Sequence, residues 1–303
     1  MLLTSPGAYR GRFAPSPTGP LHIGSLVTAV ASFLDARSQQ GTWLVRMEDL
    51  DPPREQPGAA DAIIRSLEAH GLFWDEALVY QSQRLDSYHA LVQQLQKQEL
   101  AFRCNCSRQV VKQAGGIYPG HCRQQPPGDD QTCAVRVKTC QLPDEFTHSS
   151  NIQYRDIFQG NQAQQVDKEV GDFIIRRRDG LIAYQLAVVA DDIAQKITHV
   201  IRGSDLLDNT QRQLWLFQLL KGRAPEFGHI PIVVNEQGQK LSKQTYAPAL
   251  DDTKASSNLA QAMQLLHHPL PTELQGATPT EILQWGIEHW SREKIPQTLQ
   301  ITG

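Results

Sequence analysis

Three groups of residues have types and spacings that suit chemistry. The first is Pro17-Thr18-Gly19-Pro20-Leu21-His22-Ile23-Gly24-Ser25-Leu26. Its prolines force a loop. Leu26, Val27, Val30, Phe33 and Leu34 then recur at helical spacing, so the loop runs into a helix N-terminus. That end presents free N–H groups and a partial positive charge, which suit phosphate. His22 adds a donor, and Gly24 lets a nucleotide come close to the backbone. The second group is Lys240-Leu241-Ser242-Lys243. Two lysines three residues apart on a loop can both reach a triphosphate, where their charge counts most as negative charge develops at phosphorus. The third is Cys104-x-Cys106 with Cys122, three soft donors within 19 residues. Such a cluster suits Zn²⁺, and a structural site wants a fourth ligand. On chemistry alone His121 is the first candidate, because imidazole is a common ligand and Tyr118 would be an unusual one.

These groups need a scaffold. A short strand over 10–14 precedes the first motif. A second, Trp43 to Met47, runs into the carboxylates Glu48, Asp49 and Asp51. Ile63, Ile64 and Leu67 mark a helix stopped near Gly71, and Leu85, Tyr88, Leu91, Val92 and Leu95 mark another. Strand, helix, strand, helix predicts a parallel sheet with covering helices. From Phe102 to about Asp172 the pattern breaks into cysteines, prolines, glycines and an alternating strand, Cys133 to Lys138, as in an inserted subdomain. The α/β pattern returns with Ala183 to Val189, a strand at Ile197 to Ile201, a helix from about Asn209 to Leu220 and a strand at Ile230 to Val234. The last 60 or so residues read as helical, with a capping box at Thr278-Pro279-Thr280-Glu281.

Composition narrows the class. The 303 residues are 40% hydrophobic and 20% charged, as in an ordinary globular protein. No apolar run approaches the roughly 20 residues of a membrane span, and the N-terminus lacks a signal peptide's basic start and apolar stretch. A cytoplasmic protein is expected. A net charge of -3 argues against a general nucleic-acid binder, so any RNA complex should be local and salt-sensitive. Residues 99–125 offer a basic surface, with four Lys/Arg against one acid.

The first two motifs, in this order and 218 residues apart, resemble the two signatures of class I aminoacyl-tRNA synthetases. Arg12-Phe13-Ala14-Pro15-Ser16-Pro17-Thr18-Gly19, Arg46-Met47-Glu48-Asp49-Leu50-Asp51, Tyr184-Gln185-Leu186-Ala187-Val188-Val189 with Asp191-Asp192, and Val200-Ile201-Arg202-Gly203 resemble glutamyl-tRNA synthetases in particular. The resemblance covers roughly residues 9 to 250. It implies that Arg12 and Arg202 hold substrate carboxylates, that Glu48 holds the ammonium, and that Tyr184 offers a hydroxyl beside the backbone of Arg12 to Ser16 (Arg12, Phe13, Ala14, Pro15, Ser16). ATP would lie against Pro17, Thr18, Gly19, His22, Gly24, Ser25, Leu241, Ser242 and Lys243, with His22, Lys240 and Lys243 as the catalytic set and Mg²⁺ accompanying the nucleotide. Two positions depart from the pattern. Ser25 stands where histidine or asparagine is common, and could cap the helix or contact ribose. Ser204 stands where an acidic residue usually follows Arg202-Gly203.

Short glutamyl-synthetase paralogues carry Cys-x-Cys with Tyr-x-x-x-Cys, which Tyr118-Pro119-Gly120-His121-Cys122 fits. The resemblance therefore implies one Zn²⁺ held by Cys104, Cys106, Tyr118 and Cys122. Only 60 residues follow Lys243, too few for a sizeable anticodon-binding region, and this points to the glutamyl-queuosine tRNA(Asp) synthetase family. The expected architecture is α/β: a class I synthetase Rossmann-like parallel sheet with a zinc-bearing insertion and a small C-terminal helical subdomain. The first half of the catalytic domain spans 1–100, the zinc-bearing acceptor-binding insertion 101–182, the second half 183–238, and the lysine loop with a helical stem-contact subdomain 239–303. The family implies L-glutamate, ATP and queuosine-containing tRNA(Asp) as partners; with no exposed heptad seam in the sequence, a monomer is expected. A truncated glutamyl-tRNA synthetase charging a 3′ end, or a non-catalytic RNA- or partner-binding paralogue, are the alternatives.

Overall fold

The computed structural model describes residues 8–128, 131–146, 149–241 and 248–303. Its first unit follows from alternation along one strand. β1 (Arg10–Phe13) pairs in parallel with β2 (Thr42–Met47), Arg12 lying opposite Leu44, and β3 (Val79–Tyr80) extends the layer beyond β2. The crossover is α1 (Ile23–Ser38). Trp43, Val45 and Met47 of β2 enter one hydrophobic core and Leu44 the other, so the strand is covered on both faces. Trp43 is fully buried, stacks on Phe13, meets the Phe33 ring edge-on, and donates its indole N–H to Ser32 Oγ at 3.0 Å. α2 (Ala59–Ala69) ends before Gly71, whose φ of +71° suits glycine, and α3 (Leu85–Lys97) follows.

The middle of the chain changes character. β4 (Ala101–Cys104), α4 (Arg108–Gln113), α5 (His121–Gln124) and β5 (Ala134–Val137) are followed by the antiparallel hairpin β6 (Asn151–Asp156) and β7 (Gly160–Gln165), then by α6 (Val166–Glu169) and β8 (Phe173–Arg176). β4, β5 and β8 form an antiparallel sheet in that order. The parallel pattern resumes with α7 (Tyr184–Ala194), β9 (His199–Gly203), α8 (Thr210–Leu219), β10 (Glu226–Ile230) and β11 (Ile232–Val234). β9 and β10 are parallel, with His229 opposite Arg202. β9 runs beside β1, where the Thr198 N–H donates to the Arg10 carbonyl at 2.9 Å. The result is a Rossmann-like parallel arrangement whose strand ends meet at one edge.

Two details differ from the sequence reading, and one segment it left without an element type is now assigned. The strand expected over Ile230 to Val234 is two strands, because Pro231 has no N–H to give a ladder. Ala183 to Val189 forms the first turns of α7, a helix buried along most of its length. The last segment is not wholly helical: α9 (Ala255–Leu265) and α10 (Pro279–His289) are followed by β12 (Gln300–Thr302), which pairs in parallel with β11. Three residues are too few to carry a readable period. The capping box at Thr278 and Glu281 forms in both directions. α10 approaches α1 closely at Gly286, where an added Cβ would lie 3.0 Å from Leu34. Asp35 of α1 binds the Arg292 guanidinium at 2.7 and 2.9 Å and the Trp290 indole at 2.9 Å. Among the described residues, no helix is long and apolar enough to cross a membrane.

Burial depresses the pKa values of three histidines, His199, His229 and His268. His268 is held neutral by its neighbours: Nδ1 faces the Leu266 carbonyl at 2.7 Å, and Nε2 accepts the Ser291 N–H at 3.0 Å. With a depressed folded pKa, the unfolded chain takes up protons first on acidification. The contribution is complete above about pH 6.5 and is lost as pH falls below it. Tm should therefore decline between pH 7.5 and 5.5. A flat Tm across that window would contradict the buried neutral state.

Candidate active site

The C-terminal ends of β1, β2 and β9 and the N-terminus of α1 converge on a cavity of about 690 Å³. Arg12, Phe13, Ala14, Pro15, Ser16, Thr18, His22, Gly24, Ser25, Glu48, Tyr184, Arg202, Lys240 and Leu241 all line it. Pro17 and Gly19 do not line it but shape its rim. The Pro17 carbonyl accepts the Gln56 N–H at 3.0 Å, and Gly19 has φ of +142°. Ser242 and Lys243 lie outside the described residues.

At the helix end the cap is His22, not Ser25. The imidazole Nδ1 accepts the Ser25 N–H at 3.3 Å, which leaves Nε2 as the protonated nitrogen of the neutral ring, 3.0 Å from Ser25 Oγ. The two residues act as one unit at the mouth of the helix. A Cβ on Gly24 would meet the His22 ring at 3.2 Å, so glycine here keeps the imidazole in place.

Beneath the cavity lies a buried ionic cluster. Arg46 has no exposed surface. Its guanidinium meets Asp192 at 2.8 Å, Glu48 at 3.3 Å, Asp191 at 3.7 Å and the Gln195 side-chain oxygen at 2.7 Å. Asp192 also takes a two-pronged contact from Arg12, at 3.2 and 3.3 Å. Asp191 is closed by Gln81, Arg84 and Tyr88 at 2.7–2.8 Å. Burial pushes the Asp192 pKa up, but the Arg12 and Arg46 charges outweigh it and hold the carboxyl below its ordinary value. At Glu48 burial wins over Arg46 and Arg12, and the pKa rises. Glu48 is fixed over the first loop because its N–H donates to the Pro15 carbonyl at 2.9 Å. Burial, with the Glu48 charge adding to it, keeps the Tyr184 hydroxyl protonated.

Arg202 differs from the other arginines. It is 3% exposed, and among the described residues no carboxylate lies within ion-pair distance of it. Nε donates to His229 Nε2 at 2.9 Å and Nη2 to Thr210 Oγ1 at 2.8 Å, while Nη1 is buried with no partner. Burial lowers its pKa, the response of a cation without an anion.

The opposite wall is more open. The Asn235 side chain accepts the N–H groups of Gln237 and Gln239, and Gly238 takes φ of +73°. This turn folds Lys240 back beside Val234. Lys240 Nζ meets Asp205 at 2.6 Å, both side chains partly exposed.

A separate cluster sits beside β4. The sulfurs of Cys104, Cys106 and Cys122 lie within 4.8 Å of one another. The buried Tyr118 hydroxyl is 3.8 Å from Cys106 Sγ and accepts the Cys122 N–H at 2.8 Å, whereas His121 is exposed. The Arg136 guanidinium donates to Cys104 Sγ at 3.3 Å and lies over the Tyr118 ring. Three thiols with a cation beside them form a donor set able to hold a metal ion.

A model of the catalytic domain of "tRNA synthetases class I (E and Q)" matches residues 8–266. A glutamyl-Q tRNA(Asp) synthetase of Thiobacillus denitrificans is 52% identical over 298 residues, covering 96% of each chain. The chain belongs to the glutamyl-Q tRNA(Asp) synthetase family. A family member from Vibrio cholerae is 45% identical over 98% of this chain and 95% of its own. A glutamate tRNA ligase from Elizabethkingia meningosepticum, solved in complex with its amino acid, superposes with a TM-score of 0.78 at 25% identity. The chain spans about two thirds of that ligase, 66% of its length, with 96% of its own residues covered.

Sequence reasoning about the family motifs gave no role to three ionisable residues that the fold brings to the site. Asp192 fixes Arg12, Asp205 faces Lys240, and His229 supports Arg202. The acid absent after Gly203 has a substitute one residue on. Ser204 turns away to the Leu299 carbonyl, and Asp205 lines the cavity. Two adjacent acids inside the otherwise apolar run Leu186 to Ala194 were the readable signal for Asp192, since such acids stay buried only when paired.

Asp192→Ala leaves Arg12 and Arg46 short of a partner in a dry site. It should cost about 3–5 kcal/mol in chemical denaturation, the range for breaking a buried pair. A loss below about 1 kcal/mol, the level of an exposed pair, would mean the cluster is wetter than its burial indicates.

Proposed function

We propose that this chain joins L-glutamate to ATP and then passes the glutamyl group to the queuosine base of tRNA(Asp), as the names of its relatives suggest. The observation that carries the first step is the charge of the cavity floor. Arg12, Arg46 and Arg84 balance Glu48, Asp191 and Asp192, three against three. Arg202 adds one positive charge and has a buried Nη1 to offer. Glutamate carries one net negative charge at neutral pH, and its second carboxylate fits that need. Glutamine, with no net charge, would leave a buried cation uncompensated, which costs several kcal/mol.

In this reading Arg202 and Arg12 hold the carboxylates, Glu48 takes the ammonium, and Tyr184 contributes its hydroxyl. One carboxylate oxygen attacks the α-phosphorus of ATP, the bond to pyrophosphate breaks, and glutamyl-adenylate forms. The α1 N-terminus and His22 face the phosphates, with Lys240 and Lys243 neutralising charge that grows in the transition state. Pro17, Thr18, Gly19, Gly24, Ser25, Leu241 and Ser242 complete the nucleotide wall, and Mg²⁺ bound with ATP would supply further charge neutralisation. A queuosine hydroxyl then attacks the acyl carbon, and AMP leaves.

The same reading takes 1–100 and 183–238 as the catalytic halves, 101–182 as the acceptor-binding insertion and 239–303 as the lysine loop with its stem contact. A monomer acting in the cytoplasm, where thiols stay reduced, is part of it. One Zn²⁺ held by Cys104, Cys106, Cys122 and Tyr118 would fasten β4 to α5 and give the insertion a fixed shape. Burial of Tyr118 and exposure of His121 favour tyrosine as the fourth ligand.

Glutamate-dependent exchange of pyrophosphate into ATP should occur without any tRNA, and His22→Ala or Lys243→Ala should each slow it at least about 10²-fold. Transfer is tested with queuosine-containing tRNA(Asp) whose terminal adenosine has been removed. Persistent glutamate labelling is expected. Its loss, or equal labelling of tRNA lacking queuosine, would favour an enzyme charging the 3′ end.

Elemental analysis should find one zinc per chain, and His121→Ala should retain it while Tyr118→Phe weakens it. Full metal retention in Tyr118→Phe with loss in His121→Ala would reverse the ligand choice.

A further inference from the structure

Arg202 owes its direction to a chain of buried groups that leads away from the cavity. His229 is its register partner across β9 and β10, so the two side chains share one face of the sheet. Both are buried. A guanidinium can only donate. The 2.9 Å contact from Arg202 Nε therefore makes His229 Nε2 an acceptor, and the ring proton of the neutral form must sit on Nδ1. Nδ1 faces Asp156 Oδ2 at 2.5 Å, which suits a proton there. Asp156 is itself fixed. Its Oδ1 accepts the N–H groups of Phe158, Gln159 and His229, each at 3.0 Å.

We propose that Asp156 and His229 are positioning residues for Arg202: the aspartate holds His229 as its neutral Nδ1–H tautomer, and Nε2 turns the guanidinium so that Nη1 presents itself to a substrate carboxylate. The role assigned to that carboxylate rests on the glutamate reading above. Two alternatives to this arrangement are worse. A doubly protonated His229 would set a second cation against Arg202 and remove its acceptor. The opposite tautomer would point an N–H at an N–H. Burial favours the neutral ring, consistent with its lowered pKa. Thr210 Oγ1, 2.8 Å from Arg202 Nη2, completes the clamp on the other edge of the guanidinium. The Phe227 ring, 5.1 Å from the guanidinium carbon, backs its face. Asp156 comes from the hairpin β6–β7, so the clamp draws one member from the segment between the two runs of parallel strands.

Two substitutions separate orientation from general packing. His229→Gln can keep an acceptor near the position of Nε2 while giving up the Asp156 contact. His229→Asn can keep a donor near Nδ1 while leaving Arg202 Nε without a partner. The Asn variant should raise the glutamate KM in pyrophosphate exchange by roughly 10- to 100-fold, with the ATP KM and kcat within about threefold of the parent. The Gln variant should stay within about threefold of the parent in all three. Equal KM rises in both variants, or a parallel rise in the ATP KM, would overturn the proposal. A measurement on the unmodified protein does not depend on folding of the variants or on the substrate. Histidine-ring ¹⁵N NMR at pH 7.5 should find His229 protonated at Nδ1 and bare at Nε2, with a scalar coupling across the N–H···N bond from Arg202. The Nε2–H tautomer, or an imidazolium, overturns the proposal. An unmodified protein with the expected tautomer but no glutamate-dependent exchange would overturn the catalytic reading and leave the clamp standing.

Discussion

A guanidinium cannot shed its charge, and Arg46 has no contact with water. This single fact constrains most of the site. Arg46 sits near the end of β2, and it is neutralised by Asp191 and Asp192 at the end of α7 and by Glu48 directly after the strand, with the Gln195 amide oxygen as a further acceptor. β2 and the end of α7 are far apart in sequence and cannot separate without exposing or orphaning a charge. β1 is drawn into the same arrangement, because Arg12 shares Asp192 with Arg46. The two halves of the parallel layer are thus joined by ions as well as by the Thr198 to Arg10 hydrogen bond. Such a cluster is a poor source of net stability, since desolvation offsets much of the attraction. Its value is geometric. It leaves each member one low-energy arrangement.

That geometry sorts the arginines by task. Arg12 is fixed by Asp192 through Nε and Nη2, so in the proposed reading its Nη1 edge meets a substrate carboxylate while the pair supports the floor of the cavity. Among the described residues Arg202 is held by neutral acceptors, His229, Thr210 and the Leu206 carbonyl, and meets no carboxylate at ion-pair distance. A protein that merely needed a stable core would gain by giving Arg202 a carboxylate or replacing it with an apolar residue. Keeping a buried cation without its anion is the mark of a site that expects the anion from outside. The proposed glutamate supplies it. The strain of that arrangement is borne by the surrounding hydrogen bonds, which do not need to reorganise when the substrate arrives.

Much of this was legible in the chain. The first loop, the helix after it, the alternating faces of the strands and the turn before the lysines follow from proline, glycine and hydrophobic period. The family motifs placed Arg12, Glu48, Tyr184 and Arg202 around one cavity. Other features had no local signature. Pro231 was visible but lay inside a run of apolar residues that reads as a single strand. β12 is too short for a period. Ser25 was read as a possible cap, whereas His22 takes that role with its own ring. Above all, the partners of the site, Asp192, His229, Asp156 and Asp205, act through contacts between residues 27 to 180 positions apart: Arg202 to Asp156 through His229, Lys240 to Asp205, Arg12 to Asp192. One chain carries no record of such pairings. Only the register of β9 and β10 brings His229 to Arg202.

The two ends of the cavity are built on different electrostatic terms. At the end assigned to the amino acid Arg12, Arg46, Arg202, Glu48, Asp191 and Asp192 are all buried, so the effective dielectric is low and an ion pair cannot be broken without a large penalty. At the nucleotide end Lys240 and Asp205 are partly exposed. Such pairs contribute only about 0–1 kcal/mol. A triphosphate, with several charges and many acceptor oxygens, can take Lys240 from Asp205 at small cost. A single carboxylate could not take Arg12 from Asp192 in the same way. In the proposed reading the buried end selects by matching one fixed charge, and the exposed end exchanges partners as phosphates enter and leave. A reaction that must release pyrophosphate and later AMP, while holding one amino acid throughout, needs that division.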